Sequence, residues 1–152
     1  MFTLSDTPID ADALKVLVAT NEAGAYVAFE GWVRNHNEGQ AVTGLEYEAY
    51  EALAVKEGNK IIDEAQKFSI LKAYCVHRTG ALKIGDMAVM VVVSAAHRKE
   101  AFAACEFIID EIKKRVPIWK RETYVDGSTS WVNCAHNHEA AHETAQASGA
   151  KS

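Results

Sequence analysis

Basic side chains are concentrated in one short run of the sequence, KKRVPIWKRE at residues 113–122. The basic residues of this run are Lys113, Lys114, Arg115, Lys120 and Arg121. The chain as a whole has sixteen Lys and Arg against twenty-one Asp and Glu, so the run is a cationic cluster on an acidic protein. Such a cluster attracts an anion, and a lysine crowded by other cations loses its proton more readily. The run therefore predicts capture of an anion beside a potentially nucleophilic amine.

The residues of this cationic cluster are not equivalent. Lys113 and Lys114 are expected in the last turn of a helix that ends before the proline, where cations complement the negative end of the helix dipole. For Lys114 and Arg115 this structural role explains the positive charge as well as anion binding does. If the segment after the proline is extended, Lys120 projects opposite Trp119. Lys113 and Lys120 can then share one pocket beside an aromatic wall, where a neutral amine could attack a carbonyl or move a proton.

Two further groups of polar residues could bind an anion. Arg34 follows a predicted strand and opens the run RNHN, and its planar guanidinium suits a phosphate or a carboxylate. The alternative for this run is a solvated hairpin loop, since asparagine favours turns. His97 and Arg98 come at the start of a predicted helix, where cations oppose the dipole but free backbone N–H groups attract anions. The alternative for this pair is simple exposure to solvent.

Composition excludes several classes of protein. A net charge of −5 argues against nucleic-acid binding by the whole surface. No signal peptide and no apolar run long enough to cross a membrane is evident, and three cysteines without close spacing predict a reduced, cytoplasmic protein. His136, His138 and His142 resemble a set of metal ligands, but no apolar anchor or further ligand accompanies them. We therefore expect no metal and no other cofactor.

The length of 152 residues fits one domain, predicted at residues 1–134, followed by a small, polar and flexible tail at 135–152. Three helices are predicted: one capped by Asp10 or Asp12 and ending near residue 21, one at 51–68, and one capped by Ser94. The last has apolar residues spaced by three and four along one face: Phe102, Cys105, Ile109, Ile112 and Val116.

Strands are predicted between and after these helices, at residues 25–33, 45–49, 70–78, 87–94, 118–125 and 130–132. The strand at 87–94 is almost continuously apolar and rich in valine, which predicts a central strand covered on both faces. The last two strands form a hairpin around Asp126 and Gly127. Strands and helices mix without a regular βαβ order, so we predict an α+β fold with helices packed on a mixed, largely antiparallel sheet.

Four runs in the same order resemble one known family, the large, catalytic subunit of molybdopterin synthase. They are GWVRNHN at 31–37, VHRTGALKIGD at 76–86, SAAHR at 94–98 and FIIDEIKKRVPIWKRE at 107–122. The resemblance extends over about residues 24–132. It implies an α/β-hammerhead fold and the conversion of cyclic pyranopterin monophosphate into the dithiolene of molybdopterin. It also implies a homodimer that binds a small ubiquitin-like sulfur carrier at each end, as a heterotetramer. The carrier's C-terminal Gly-Gly delivers sulfur as a thiocarboxylate, without metal or nucleotide.

The resemblance also implies roles for individual residues. Lys113 and Lys120 match the family's two active-site lysines, with Lys113 as the essential amine and Lys120 as the partner that holds charge and orients the substrate. Substrate binding is implied for Arg34, His97, Arg98 and Arg121, partly across the dimer interface and with Arg121 as a supporting cation. Ile109 departs from the family, where a methionine is expected, and the tail after Val132 has no counterpart.

Two other functions remain compatible with the same residues. The chain could be a non-catalytic module that binds a phosphorylated small molecule through these cations, without a reactive amine. It could also be an interaction protein whose cationic cluster docks an acidic partner. Stabilisation by a phosphorylated pterin would argue against the docking role, because a pure docking module has no site for that ligand.

Overall fold

A computed structural model describes residues 1–133 of the chain. The predicted tail at 135–152, with its three histidines, lies outside the described residues. Within residues 1–133 there are three helices, α1 (Ala11–Val18), α2 (Glu51–Glu64) and α3 (Arg98–Arg115), and a 3-10 turn at Ala65–Phe68 extends α2. None of these helices is both long enough and apolar enough to cross a membrane.

The helix ends follow from local sequence. The Asp10 carboxylate accepts a hydrogen bond from the Ala13 backbone N–H at 3.1 Å and so caps α1 as predicted, although α1 ends at residue 18 rather than near 21. Pro117 follows the last residues of α3 and prevents its continuation. The prediction that Ser94 caps α3 is wrong, because Ser94 lies buried in a strand and His97 occupies the N-cap position.

Nine strands are present in residues 1–133: β1 (Phe2–Ser5), β2 (Ala25–Trp32), β3 (His36–Asn37), β4 (Gln40–Ala49), β5 (Lys72–Arg78), β6 (Gly80–Lys83), β7 (Met87–Ala95), β8 (Ile118–Tyr124) and β9 (Thr129–Asn133). They form one sheet in the order β1-β5-β7-β2 and a second in the order β3-β4-β8-β9, with β6 also paired to β4. Only the β1–β5 pairing is parallel. The predicted α+β class with a largely antiparallel, mixed sheet is confirmed.

Strand β7 is the centre of the core, as its valine-rich sequence predicted. It lies between β5 and β2, and its side chains alternate between two apolar clusters. Val89, Val91 and Val93 face the cluster that includes residues of α2 and α3, whereas Met90 and Val92 face α1. Both faces of the strand are therefore covered, and the sheet gives the surrounding elements a rigid base.

The buried face of α3 differs from the predicted one. Phe102 was placed inward, but it is 60% exposed. The fully or nearly fully buried positions are Ala101, Ala104, Cys105, Ile108 and Ile112. Small side chains allow α3 to lie close to the sheet, which rotates the contact face by about one residue from the larger apolar positions. This rotation leaves Lys113 exposed at the end of the helix, directly after the buried Ile112.

A tight turn and a strand pairing bring the polar segments together. Glu38 and Gly39 both have positive φ, 49° and 79°, which makes a tight hairpin turn between β3 and β4. Strand β8 then pairs antiparallel with β4, with Tyr47 opposite Lys120 and Leu45 opposite Glu122. The β3–β4 hairpin, β8 and the end of α3 therefore surround one small region of the surface.

Candidate active site

A pocket of about 130 Å³ lies where the end of α3, the β3–β4 hairpin and β8 meet. Its polar lining comprises Arg34, His36, Asn37, Tyr47, Lys113, Lys120 and Glu122. Three basic side chains from two separate stretches of the sequence, Arg34 from one and both lysines from the other, therefore reach one cavity. The two lysines share one pocket on either side of Pro117, as their spacing predicted.

The alternation of β8 decides which members of the cationic cluster face this pocket. Lys120 and Glu122 lie on the inner face of the strand, because residues two apart share a side. Trp119 lies on the outer face, where it lines a separate 340 Å³ pocket with Trp131. The aromatic wall beside the lysines is therefore Tyr47, together with Trp32, rather than Trp119.

Glu122 is the polar centre of the site and is only 2% exposed. Lys120 Nζ lies 3.0 Å from its Oε1, and the Tyr124 hydroxyl donates to Oε2 at 3.0 Å. Asn37 Nδ2 donates to both oxygens, at 2.9 and 3.0 Å. Burial alone would raise the pKa of the Glu122 carboxyl, but hydrogen bonds from Asn37, Lys120 and Tyr124 and the charge of Lys120 outweigh burial and lower it. Glu122 is an anion that holds Lys120 in place.

Lys113 has a different environment from Lys120. His77 lies buried nearby, at 3% exposure, with its ring edge against Tyr47 at 4.8 Å between centroids. Burial, and next the positive charge of Lys113, lower the pKa of His77 to about 4, against a weaker opposite effect of the Arg78 backbone carbonyl. That carbonyl lies 2.8 Å from Nδ1 and accepts a hydrogen bond from the Nδ1–H, so the neutral ring has an unprotonated Nε2. Lys113 is therefore close enough to a neutral ring to affect its pKa, whereas Lys120 contacts an anion.

Arg34 enters the pocket from a fixed piece of backbone. The preceding Val33 is buried, its N–H donates to the Asp86 carbonyl at 2.9 Å, and its carbonyl accepts from Gly85 at 2.8 Å. The Arg34 side chain is exposed beyond this anchor. A guanidinium on a rigid base and a flexible, exposed stem suit an anion that arrives from solvent.

His97 and Arg98 do not reach this pocket. They line another cavity, of about 500 Å³, at the N-terminal end of α3. Lys113 comes fifteen positions after Arg98 in α3, which is about 22 Å along the helix axis at 1.5 Å per residue. One chain therefore cannot bring both sets to the same small ligand.

Two other basic residues of the cationic cluster, Arg121 and Arg115, form ion pairs outside this pocket. Arg121 lies on the outer face of β8, forms an ion pair with Glu46 and covers the Trp131 ring at 5.1 Å. Arg115 pairs with Glu57 at 2.8 Å and with Glu64 at 2.5 Å, which ties α3 to α2. Neither guanidinium faces the pocket between the two lysines. Whether Arg121 contributes to binding stays a prediction.

The sequence predicted no specific role in the site for three residues, Glu122, Asn37 and His77. Glu122 had a usable signal, since it lies two positions after Lys120 and an extended segment puts both on one face. The role of Asn37 depends on a contact with a residue 85 positions away, for which the sequence has no signal. His77 is buried beside Tyr47, and its position in the predicted strand at 70–78 does not indicate that contact. Within residues 1–133, no group of three or more His, Cys, Asp or Glu side chains could hold a metal ion.

Comparison with known proteins finds relatives that cover most of the chain. The family model described as "MoaE protein" matches residues 4–115. The molybdopterin synthase catalytic subunit of Pyrococcus abyssi is 49% identical over 112 residues, which cover 73% of this chain and 76% of that protein. The crystal structure of molybdopterin synthase from Staphylococcus aureus superimposes with a TM-score of 0.82 at 38% identity, covering 87% of this chain and 96% of that one.

A third comparison concerns the fold alone. The structure of the complex of subunits 1 and 2 of molybdopterin-converting factor from Helicobacter pylori matches with a TM-score of 0.70 at 23% identity, over 87% of this chain and 88% of that one. The family match covers most of the described residues, and the relatives align over most of their own length. The chain belongs to the MoaE family, that of the molybdopterin synthase catalytic subunits.

Proposed function

We propose that this chain transfers sulfur from the thiocarboxylated C-terminus of a small ubiquitin-like carrier to cyclic pyranopterin monophosphate, forming the dithiolene of molybdopterin. The observation that carries this proposal is the meeting of Lys113, Lys120 and Arg34 in one pocket of a MoaE-family chain. The pocket offers positive charge for a phosphate and amines for a reaction at a carbonyl. It is also small, which suits the narrow, side-chain-free Gly-Gly end of the carrier.

The surroundings of the two lysines support different roles. Lys120 is paired with a buried carboxylate, so it is suited to hold positive charge and orient the substrate rather than to act as a free base. Lys113 is an exposed residue of the pocket lining, and its charge acts on the neutral imidazole of His77. We assign Lys113 as the essential amine, which exchanges a proton during sulfur transfer or contacts the terminal carbonyl of the carrier.

Substrate binding is assigned to Arg34 within the pocket and to His97 and Arg98 from a second copy of the chain. The separation of about 22 Å along α3 within one chain supports this arrangement, because only another copy could place the N-terminal end of α3 beside Lys113. The functional unit is then a homodimer with one carrier at each end. In the Helicobacter pylori complex, a protein with this fold is bound to a second subunit.

Reconstitution tests the proposed function. The purified chain is incubated with thiocarboxylated carrier and cyclic pyranopterin monophosphate, and the dithiolene product is measured, with the carrier in its plain carboxylate form as the control. We expect product only with the thiocarboxylate, together with conversion of the carrier to its carboxylate. Tight binding of the phosphorylated pterin without product would instead support the non-catalytic binding module. Binding of the carrier without any effect of the pterin would support the docking role.

A further inference from the structure

Asn37 makes the side-chain contact between the β3–β4 hairpin and the buried centre of the site. Its amide nitrogen donates to both oxygens of Glu122, at 2.9 and 3.0 Å. Only this orientation of the amide fits, because the Asn37 carbonyl oxygen facing a carboxylate would bring two acceptors together. The residue that follows, Glu38, begins the tight turn with positive φ, so the backbone at Asn37 is held on that side as well.

The same carboxylate holds Lys120. Glu122 Oε1 accepts from Asn37 and from Lys120, and Oε2 accepts from Asn37 and from Tyr124. Asn37 therefore fixes both oxygens at once, and the direction in which Oε1 points decides where the Lys120 ammonium lies. Arg34 precedes the same hairpin strand by two residues, so a shift of the hairpin would change the spacing between Arg34 and Lys120.

We propose that Asn37 is a positioning residue: through Glu122 it holds Lys120 in place and sets the distance between Lys120 and the hairpin that carries Arg34. This inference rests on the proposed function, since Lys120 and Arg34 are the groups that would orient the pterin phosphate. A hydrogen-bond donor is required at this position, because the partner is a buried carboxylate.

An isosteric substitution separates donation from shape. Asn37→Asp keeps the size of the side chain but presents a carboxylate to Glu122. Two carboxylates in contact share a proton at low pH, where the introduced acid can donate as the amide does, and repel each other when both are ionised. The other charged or titratable groups around the contact are Lys120, Tyr124, Arg34, His36, Tyr47 and Lys113, and the wild type shares all of them. Taking the activity ratio of variant to wild type at each pH removes these shared titrations.

The matched control is Asn35→Asp. It adds the same charge two residues earlier, on an exposed side chain. Within residues 1–133, the one side-chain hydrogen bond of Asn35 is to its neighbour His36. Asn37→Ala removes the donor without adding charge and covers the case in which the Asp variant does not fold. Dithiolene formation and thermal unfolding are measured for all four proteins between about pH 8 and about pH 6.

We expect Asn37→Asp to retain about one-tenth of wild-type activity or less at high pH, and its ratio to wild type to rise several-fold as the pH falls. Asn37→Ala should lose about tenfold at every pH, and Asn35→Asp should stay within about twofold of wild type. A ratio for Asn37→Asp that is near one or independent of pH, or an identical pattern in Asn35→Asp, would overturn the positioning role. An inactive wild type would instead refute the proposed function, so the two failures are distinguishable.

Discussion

Replacing His77 by phenylalanine should change how the stability of the fold depends on pH. The imidazole is buried beside Tyr47, and the positive charge of Lys113 lies close to it. Burial first, and then Lys113, lower the pKa of His77 from 6.5 to about 4 in the folded protein. Phenylalanine keeps a flat ring in this space but cannot take up a proton.

The magnitude follows from linkage between protonation and folding. Between pH 6.5 and about 4 the unfolded chain binds a proton that the folded chain does not, so the free energy of unfolding falls as the pH falls. Each pH unit corresponds to about 1.4 kcal/mol, so His77 removes about 3 kcal/mol of stability across this range. Above pH 6.5 both states are neutral at this position and the effect is absent.

Urea unfolding at several pH values measures this effect. The wild type and His77→Phe should differ by a constant amount above pH 6.5, where the variant also lacks the hydrogen bond to the Arg78 carbonyl. Below that pH the stability of the variant should fall less steeply than that of the wild type. His97→Phe is the control, since His97 is exposed. Parallel curves for the wild type and His77→Phe down to pH 4 would refute the assignment of a buried, neutral imidazole.

Two further substitutions test ion pairs, one in the pocket and one between α2 and α3. Glu122→Gln keeps the side-chain shape but removes the anion that Lys120 contacts at 3.0 Å, and we expect dithiolene formation to fall at least tenfold in a steady-state assay. A variant with wild-type activity would contradict the role of Glu122. Arg115→Ala removes the ion pairs that link α3 to Glu57 and Glu64 on α2, and should lower the midpoint of thermal unfolding. These pairs are partly exposed, so the difference from wild type should shrink in 1 M salt; a difference that is independent of salt would exclude an electrostatic origin.

The sequence was sufficient for the parts of the fold and site that depend on local pattern. The valine-rich segment of β7 predicts a central strand covered on both faces, and β7 is such a strand in the structure. The interruption at Pro117 likewise places Lys113 and Lys120 on successive elements that meet. In both cases the signal lies within one continuous segment, where side-chain periodicity decides which residues face inward.

The sequence was insufficient where the outcome depends on contacts between distant segments. Strand β3 has two residues, too few for any periodic signal, yet it brings Asn37 to Glu122. Hydrophobicity predicts that Phe102 faces inward. The close approach of α3 to the sheet instead requires small residues at the contact, and Phe102 lies outside it. The separation of His97 and Arg98 from the lysines could not be obtained from charge, because it depends on the length and direction of α3.

The most direct test of the central claim compares two adjacent lysines in a single turnover. Lys113→Ala and Lys114→Ala remove the same charge from neighbouring exposed positions at the end of α3. Of these two lysines, Lys113 lines the pocket and Lys114 does not. Each variant is mixed with thiocarboxylated carrier and cyclic pyranopterin monophosphate, and dithiolene is measured alongside dimerisation and carrier binding. We predict that Lys113→Ala loses at least about a hundredfold in product formation while both assemblies persist, and that Lys114→Ala stays near wild type. Full activity of Lys113→Ala, or an equal loss in both variants, would contradict the assignment of Lys113 as the essential amine.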